Sequence, residues 1–349
     1  PYSHVVDDIL KMPGAKWFEG ATLNFAENLL RHRDDKIAIH FYGEDGTQSS
    51  LSYRELYDQV SRLVQSMCEM GIVKNDRVVG FMPNIPETII AMLATASIGA
   101  IWSSCSPDFG IKGVLDRFKQ IEPKLIFTAD GYWYNGKQID CISKVKEILA
   151  DLPSIEKTVI IPFVGDADVS IIKNSIQWED FLHRNSSEIE FEPLPFDHPL
   201  YIMYSSGTTG LPKSIVHSAG GTLIQHLKEL QLHTDLTEDD KIFYFTTCGW
   251  MMWNWLVSSL SVGATIVLFD GSPFYPDGSV LLKMADELGI TIFGTSAKYI
   301  SSLESFGIKP NKISSFPKLR TILSTGSPLV EENFDFIYTH WKKDIQLAS

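Results

Sequence analysis

The chain has 349 residues, of which 44% are hydrophobic and 21% charged, and this composition is typical of a globular protein of roughly two domains. Its formal net charge of −13 argues against broad binding to nucleic acid or to an anionic membrane surface, because such surfaces attract excess Lys and Arg. The four cysteines form no Cys-x-x-Cys pair and no apolar run reaches the ~18 residues of a membrane span, so we expect no zinc site, no membrane span and a reducing, cytoplasmic setting.

Short apolar runs rich in β-branched residues alternate with helical patterns from Val78 onward. The pattern predicts strands at RVVGFM, AIWSS and KLIFTA, and helices at IPETIIAMLATASIG and IKGVLDRFKQI. Alternating strands and helices are typical of a parallel sheet with helices on its faces. The first half of the chain is therefore predicted to be an α/β layer.

The same alternation resumes after Tyr201. Strands are predicted at LYIMYS, KIFYF, ATIVLFD, ITIFGT and LRTILST, and helices at GTLIQHLKELQL and SVLLKMADELG. Between the halves, NSSEIEFEPLPFDHP is polar and acidic and contains three prolines, which is typical of a connection. We therefore predict two subdomains, residues 1–190 and 191–349.

The segment YSSGTTGLPKS directly follows a predicted buried strand. Gly207, Lys213 and Ser214 fit the phosphate-loop pattern G-x-x-x-x-G-K-[ST], but Pro212 stands where that pattern needs a glycine and has no N–H to donate. Glycines, hydroxyls and a lysine still favour phosphate binding, with a flexible surface turn as the alternative. Because ligands of parallel sheets bind at the carboxyl ends of strands, a nucleotide is the expected ligand.

Two further segments are predicted to follow strands. TTCGWMMWNWL contains three tryptophans, which either fill the space between helix and sheet or form a wall for an organic substrate at a strand end. LSTGSPL runs from a strand into a Gly-Ser-Pro turn, a weak signal alone. Beside a phosphate loop, both become candidate parts of one site.

YSSGTTGLPKSIVHS closely resembles the phosphate-binding signature of the acyl-adenylate-forming enzymes, which include the acyl-CoA synthetases. That signature contains a Pro-Lys pair, which accounts for Pro212. The resemblance extends to FMPNIPETIIAMLATASIGAIWSSCSPDFG, CGWMMW and STGSPL, so it covers nearly the whole chain. It implies an α/β fold of two stacked, mostly parallel β-sheets flanked by helices in an αβαβα-like layering. WFEGATLNFAENLL is similar to the branch that activates short-chain acids, and the resemblance favours acetoacetate as the acid.

The resemblance also implies site residues. The loop that embraces the triphosphate matches Ser205, Ser206, Gly207, Thr208, Thr209, Gly210 and Lys213, with Thr208, Thr209 and Lys213 as the catalytic donors. The adenine turn matches Gly326, Ser327 and Pro328, and the acyl pocket matches Trp250, Met251, Met252 and Thr325. Lys137 matches a basic residue that meets the 3′-phosphate of CoA, with a solvated loop lysine as the alternative. Acetate-specific members have a threonine at the position of Met252, which implies a longer acid here.

The implied activity is a two-step ligation. A short-chain keto acid attacks ATP to give an acyl-adenylate and pyrophosphate, with Mg²⁺ bridging the phosphates, and CoA then displaces AMP. The expected partners are these small molecules, with no nucleic acid. The protein supplies positioning and charge stabilisation rather than a nucleophile.

The family pattern continues past residue 349 with an acidic metal ligand, a ribose-binding aspartate and a small C-terminal domain that carries a lysine. We therefore expect the 349-residue chain alone to be poorly active, and its full-length parent to be the enzyme. Two alternatives stay open: another short- or medium-chain acyl-CoA synthetase, and a non-catalytic truncated form that binds nucleotide.

Overall fold

The computed structural model describes residues 2–165, 168–205 and 210–349. In chain order the strands are β1 (Thr22–Leu23), β2 (Ile37–Gly43), β3 (Gln48–Ser52), β4 (Arg77–Phe81), β5 (Ile101–Cys105), β6 (Leu125–Ala129), β7 (Gly131–Tyr134), β8 (Lys137–Asp140), β9 (Lys157–Ile161), β10 (Ser175–Gln177), β11 (Leu194–Pro195), β12 (Pro199–Ser205), β13 (Lys213–Ser218), β14 (Lys241–Tyr244), β15 (Thr265–Asp270), β16 (Ile292–Ser296), β17 (Thr321–Thr325) and β18 (Gln346–Ala348). The α-helices are α1 (Phe25–Leu29), α2 (Tyr53–Glu69), α3 (Pro86–Ile98), α4 (Ile111–Phe118), α5 (Ile142–Ala150), α6 (Trp178–Phe181), α7 (Ala219–Leu227), α8 (Met251–Ser258), α9 (Val280–Glu287), α10 (Ala297–Ser305) and α11 (Glu331–His340). Short 3₁₀ segments occur at Val169–Ile171, Ser259–Val262 and Pro310–Lys312, and a π-helical segment, Lys228–His233, follows α7.

Two seven-stranded sheets with the same strand arrangement form the frame. The first has the order β10-β9-β6-β4-β5-β12-β13 and the second the order β18-β17-β16-β14-β15-β2-β3. All neighbours are parallel except the edge pairs β12–β13 and β2–β3. In each sheet the chain goes from a central strand to one neighbour and then to the other, so the crevice where the order reverses lies at the carboxyl ends of β4 and β14.

Alternating side chains on the strands divide the core into layers. On β4, Val78 belongs to the core between the sheets, whereas Val79 belongs to the core under α4 and α5. On β15, Ile266 faces the central core and Val267 the core under α9 to α11. Helices α1 to α3, α7 and α8 contribute to the central core. The layering is therefore helix, sheet, helix, sheet, helix, as expected.

The longest helix, α2, shows how local sequence specifies an element in the central layer. Ser52 caps its amino terminus by accepting from the backbone N–H of Glu55, whose carboxylate accepts from the backbone N–H of Ser52 in return. Leu56, Val60 and Leu63 are spaced by four and three residues and are fully buried. The opposite face carries the polar residues, so the helix packs one stripe into the core.

The predicted elements after Val78 are confirmed, with two corrections. Strand β13 lies between the phosphate loop and α7, where the sequence indicated a loop followed by a helix. Trp250 is the residue before helix α8 rather than the end of a strand, and Met251 and Met252 form the first turn of that helix. The hairpin β2–β3 and helix α2 had no prediction.

The division into residues 1–190 and 191–349 stays a prediction. Each large sheet takes strands from both sides of residue 190, since β12 and β13 join the first sheet and β2 and β3 join the second. In the described part of the chain, no helix combines the length and the apolar character needed to cross a membrane.

Candidate functional site

The carboxyl ends of the central strands of both sheets meet at Asn84, three residues after β4. Its Nδ2 donates to the backbone oxygen of Phe269 in β15 at 3.2 Å and to that of Thr246 in the loop after β14 at 3.3 Å, and both strands belong to the second sheet. Its Oδ1 accepts from Nε1 of Trp253 at 2.9 Å. A single buried amide therefore connects the loop after β4, the end of β15, the loop after β14 and helix α8.

A buried carboxyl lies beside this junction. Oδ1 of Asp270, the last residue of β15, accepts from the backbone N–H of Asn84 at 2.8 Å. Burial away from water raises the pKa of Asp270 to about 7, although the bond from Asn84 acts in the opposite direction and the neighbouring carboxylates of Glu44 and Asp108 add to the rise. Asp270 therefore holds its proton in the folded protein at mildly acidic pH.

Asp270→Asn is expected to stabilise the protein more at pH 8 than at pH 5. The pKa of Asp270 is raised on folding, so the folded state binds more protons than the unfolded state between pH 4 and pH 7, and its stability falls as pH rises through that window. Asparagine carries no charge and avoids this loss, of the order of 2 kcal/mol. Urea unfolding of both proteins at pH 5 and pH 8 measures it, and a difference between the proteins that does not depend on pH contradicts it.

The predicted phosphate loop connects two antiparallel strands at the edge of the first sheet. Ser205 ends β12, Lys213 begins β13, and the two residues are paired across the hairpin. Gly210 has a φ of +98°, a backbone conformation that favours glycine. The Lys213 side chain is exposed and forms no hydrogen bond or ion pair with a described residue. The predicted residues Ser206, Gly207, Thr208 and Thr209 lie outside the described residues.

The last turn of α4 and the residues after it hold both arms of this hairpin. The Tyr204 hydroxyl donates to the backbone oxygen of Arg117 at 3.1 Å. On the other arm, Nε2 of Gln120 donates to the oxygen of Pro212 at 2.9 Å, and the Ser214 hydroxyl donates to Oε1 of Gln120 at 3.0 Å. Gln120 thus binds the two residues that flank Lys213.

Gln120→Leu is expected to raise the KM for ATP about 3- to 10-fold in the full-length protein, with less effect on the KM for the acid. Two hydrogen bonds of roughly 0.5–1.5 kcal/mol each fix the backbone on either side of Lys213, and leucine removes both at similar size. Steady-state kinetics at varied ATP measure this effect. Gln65→Leu is the matched control, since Gln65 donates to Asn185 at 3.1 Å and belongs to α2, and its ATP KM should not change.

The four predicted acyl-pocket residues are not brought into one cavity. Trp250 lines a small cavity between β5, β12 and α8, whereas Met251 lines an adjacent open cleft beside β13 and α7. Met252 is half-buried and packs against the central core. Thr325 ends β17 and lines a third, open cleft. Whether these residues contact an acid stays a prediction.

The predicted adenine turn follows β17 at the carboxyl edge of the second sheet. Gly326 has a φ of +93°, and Gly326, Ser327 and Pro328 are all exposed. With Thr325 and Phe334 they line an open cleft of about 520 Å³. The turn is therefore accessible to a ligand.

Lys137 is exposed at the start of β8, directly after the turn of the hairpin β7–β8. The carboxylate of Glu44 holds that turn by accepting from the backbone N–H groups of Asn135 at 2.9 Å and Gly136 at 2.7 Å. The same carboxylate accepts from the N–H of Ser272 at 2.6 Å. Glu44 thus fixes the hairpin of Lys137 to the second sheet.

Sequence reasoning missed Asn84, Gln120 and Glu44. Each is a common polar residue whose partners are distant along the chain, so only the fold identifies it. No group of three or more His, Cys, Asp or Glu side chains that could hold a metal ion occurs among the residues with described positions.

Comparison with known proteins gives one family. Residues 25–347 match the AMP-binding enzyme family. The chain is 54% identical to acetoacetyl-coenzyme A synthetase of Rhizobium meliloti, over 97% of this chain and 52% of the relative. It is 50% identical to acetoacetyl-CoA synthetase of Gallus gallus, over 100% and 54%, and 41% identical to malonamoyl-CoA synthetase of Penicillium aethiopicum, over 100% and 52%.

A solved structure agrees with these relatives. Acetoacetyl-CoA synthetase from Streptomyces lividans superimposes with a TM-score of 0.94 at 42% identity, over 100% of this chain and 54% of that structure. The chain thus spans about half the length of the proteins it matches. Because the family match covers nearly all of these residues, the chain belongs to the AMP-binding enzyme family.

Proposed function

We propose that the full-length protein is an AMP-forming acid–thiol ligase that makes acetoacetyl-CoA. In the first step, an oxygen of the acid's carboxylate attacks the α-phosphorus of ATP, and the bond to pyrophosphate breaks. In the second, the CoA thiol, losing its proton, attacks the acyl carbonyl and AMP leaves. Both steps need aligned reactants and stabilised negative charge more than a protein nucleophile.

The observation that carries this proposal is the hairpin loop at the edge of the first sheet. Ser205 and Lys213 flank a Gly-, Ser- and Thr-rich loop that follows a parallel strand, in a chain that belongs to the AMP-binding enzyme family. A lysine with no described partner is free to pair with phosphate oxygens. The hydroxyls of Thr208 and Thr209 are the proposed donors to the same phosphates.

The proposed acid class is a short acid with a carbonyl at position 3. The acetoacetyl and malonamoyl groups in the names of the relatives both carry such a carbonyl. They differ in the group bonded to that carbonyl, a methyl group in acetoacetyl and an amino group in malonamoyl. The carbonyl at position 3 is therefore the feature by which the pocket is proposed to select its acid, and acetoacetate is the proposed substrate.

The other site residues receive roles that follow their positions. The accessible turn of Gly326, Ser327 and Pro328 is proposed to lie against adenine. Lys137, exposed on the hairpin held by Glu44, is proposed to meet a phosphate of CoA. Mg²⁺ is proposed to accompany ATP as a counter-ion of its phosphates, since it usually binds phosphate oxygens together with few protein carboxylates.

A cytosolic location is also proposed. All four cysteines are free thiols, and three of them are buried. Free thiols without disulfides are typical of reducing compartments.

The proposal is tested by pyrophosphate release from the full-length protein with acetoacetate, butyrate and acetate. Acetoacetate should give the highest kcat/KM, and AMP should be released only when CoA is present. Activation of butyrate in preference to acetoacetate points to another acyl-CoA synthetase. Tight ATP binding without release of pyrophosphate from ATP in the presence of any of the acids contradicts the ligase proposal.

Met252→Thr is expected to change the ranking of the acids. Met252 is half-buried at the start of α8, and threonine is smaller and carries a hydroxyl. The loss of the flexible thioether should lower the kcat/KM for acetoacetate relative to acetate, by several-fold. The same acid panel measures this, with Met284→Thr in α9, remote from the site, as a control. An unchanged ranking counts against the assignment of Met252 to the pocket.

A further inference from the structure

A small cavity lies beside the carboxyl end of β12, the strand that precedes the phosphate loop in sequence. It has a volume of about 90 Å³ and is lined by Trp102 of β5, Met203 and Tyr204 of β12, Gly249 and Trp250 of the loop after β14, and Asn254 of α8, among others. Met203 and Tyr204 immediately precede Ser205, where the strand enters the loop. A ligand in the cavity would therefore contact the two residues that precede Ser205.

Three residues that line this cavity, Trp102, Tyr201 and Asn254, have a buried polar side-chain atom without a hydrogen-bond partner among the described residues. Asn254 is 3% exposed, and its Oδ1 has no partner among the described residues. Its Nδ2 has only two long contacts, 3.7 Å to the sulfur of Met203 and 3.5 Å to the backbone oxygen of Trp250. Nε1 of Trp102, 2% exposed, also has no partner in the described ranges.

Such groups are uncommon in a folded interior, because a buried donor or acceptor without a partner is destabilising. Two other polar groups of the same region are satisfied: Nε1 of Trp253 donates to Asn84 at 2.9 Å, and the Ser104 hydroxyl donates to the backbone oxygen of Cys248 at 2.7 Å. Unpartnered buried polar atoms also occur on other described residues, such as Thr295 and Trp341, but those of Asn254 and Trp102 belong to residues that line one cavity. A carbonyl oxygen of a ligand would accept from Nε1 of Trp102, and a water molecule would donate to Oδ1 of Asn254.

The chemistry of the wall indicates the class of ligand. Met203, Trp250 and the ring of Trp102 offer apolar contact to a short carbon chain. The N–H groups of Asn254 and Trp102 are donors, which suit a neutral carbonyl oxygen. No carboxylate lines the cavity, and its one cation, Arg117, lies over the ring of Phe109 at 4.7 Å and donates to the backbone oxygen of Gly113 at 2.6 Å.

We propose that Asn254, supported by Trp102, donates a hydrogen bond to the carbonyl oxygen at position 3 of the acid and so determines specificity for 3-carbonyl acids. This inference rests on the proposed ligase function and deepens it. To donate to this oxygen, Nδ2 of Asn254 loses only two long contacts. A hydrogen bond of normal length to the ligand is stronger than either of them, so binding is favoured. Butyrate has the same chain length as acetoacetate but lacks this oxygen, and it would leave the donors unpaired.

The test compares acetoacetate with butyrate on the full-length protein and on Asn254→Leu, which keeps a similar size and removes the amide. The kcat/KM for acetoacetate, measured as pyrophosphate release, is expected to fall about 10- to 100-fold. The value for butyrate is expected to stay within about threefold. Since both acids are measured on the same preparation, the ratio of the two values does not depend on the fraction of folded enzyme.

Two tryptophan variants complete the test. Trp102→Phe removes an unmet N–H and should also lower the acetoacetate-to-butyrate ratio, whereas Trp253→Phe removes an N–H that Asn84 already satisfies and should leave the ratio unchanged. If Asn254→Leu is inactive with both acids, Trp102→Phe decides. If the acetoacetate-to-butyrate ratio stays at the wild-type value in the active variants, the inference is overturned. The cavity would then hold water, about three molecules at ~30 Å³ each. A wild-type protein that activates neither acid overturns the proposed function itself.

Discussion

Replacement of Lys213 by alanine in the full-length protein is expected to slow acyl-adenylate formation about 10²- to 10³-fold with every acid. Lys213 follows the phosphate loop, and it is the only cation in the described part of that hairpin. As ATP reacts, negative charge shifts onto the departing pyrophosphate, and a fixed cation stabilises it. The loss of one such electrostatic donor usually has an effect of about this size on the rate.

Pyrophosphate release with acetoacetate and with butyrate measures this effect, and both rates should fall together. The stability of Lys213→Ala should stay within about 0.5 kcal/mol of the wild type, since the side chain is exposed and forms no hydrogen bond or ion pair with a described residue. Lys318→Ala is the control. Lys318 is also exposed, but it precedes the amino end of β17 in the second sheet, whereas the candidate site lies at the carboxyl ends of the strands. A loss confined to one acid assigns Lys213 to the acyl pocket instead.

Much of the fold could be predicted because its central strands are short, apolar and separated by helices. Residues such as Val78 and Val79 are buried on both faces of a sheet, which gives a continuous apolar run. Strand β13 was missed for the opposite reason: Lys213 to Val216 are all exposed and show no alternation of buried and exposed residues. Its pairing comes from the hairpin with β12 rather than from its own pattern.

The assignment of strands to sheets could not be predicted. Strand β2 pairs with β15, and its residue Ile39 lies beside Ile266, across more than half of the chain. Local patterns carry no information on such pairing, which depends on how the layers pack. The division near residue 190 was likewise based on a local feature, a connection rich in proline, and it stays a prediction, while both sheets use strands from either side of it.

The residues of the candidate site also differ in how far they could be predicted from the sequence. The phosphate loop could be predicted because its chemistry is contiguous in sequence. The role of Gln120 could not be predicted, because its partner Pro212 is 92 residues away along the chain. The role of Asn254 could not be predicted either, because it depends on a cavity formed by two strands and a helix. Site residues that act through the fold are found only after the fold is known.

Asn84→Ala is expected to lower the free energy of unfolding by about 3–5 kcal/mol. Alanine would leave the buried backbone oxygens of Thr246 and Phe269 and the indole N–H of Trp253 without this partner. Each buried group left unpaired typically costs about 1–3 kcal/mol, and the change also removes volume from a site that is 1% exposed. Urea unfolding of the 349-residue chain measures the loss.

Asn311→Ala and Asn84→Asp serve as comparisons. Asn311 is exposed and donates to the oxygen of Thr339 at 3.2 Å, so its replacement should cost less than about 1 kcal/mol. Asn84→Asp keeps an acceptor for Trp253 but places a second carboxyl beside Asp270, whose pKa is already raised to about 7. Its loss should therefore grow as pH rises, because two adjacent buried carboxyls resist ionisation together. If Asn84→Ala loses less than about 1 kcal/mol, the two sheets are held together by their apolar layers alone, and the amide has no structural role at the junction.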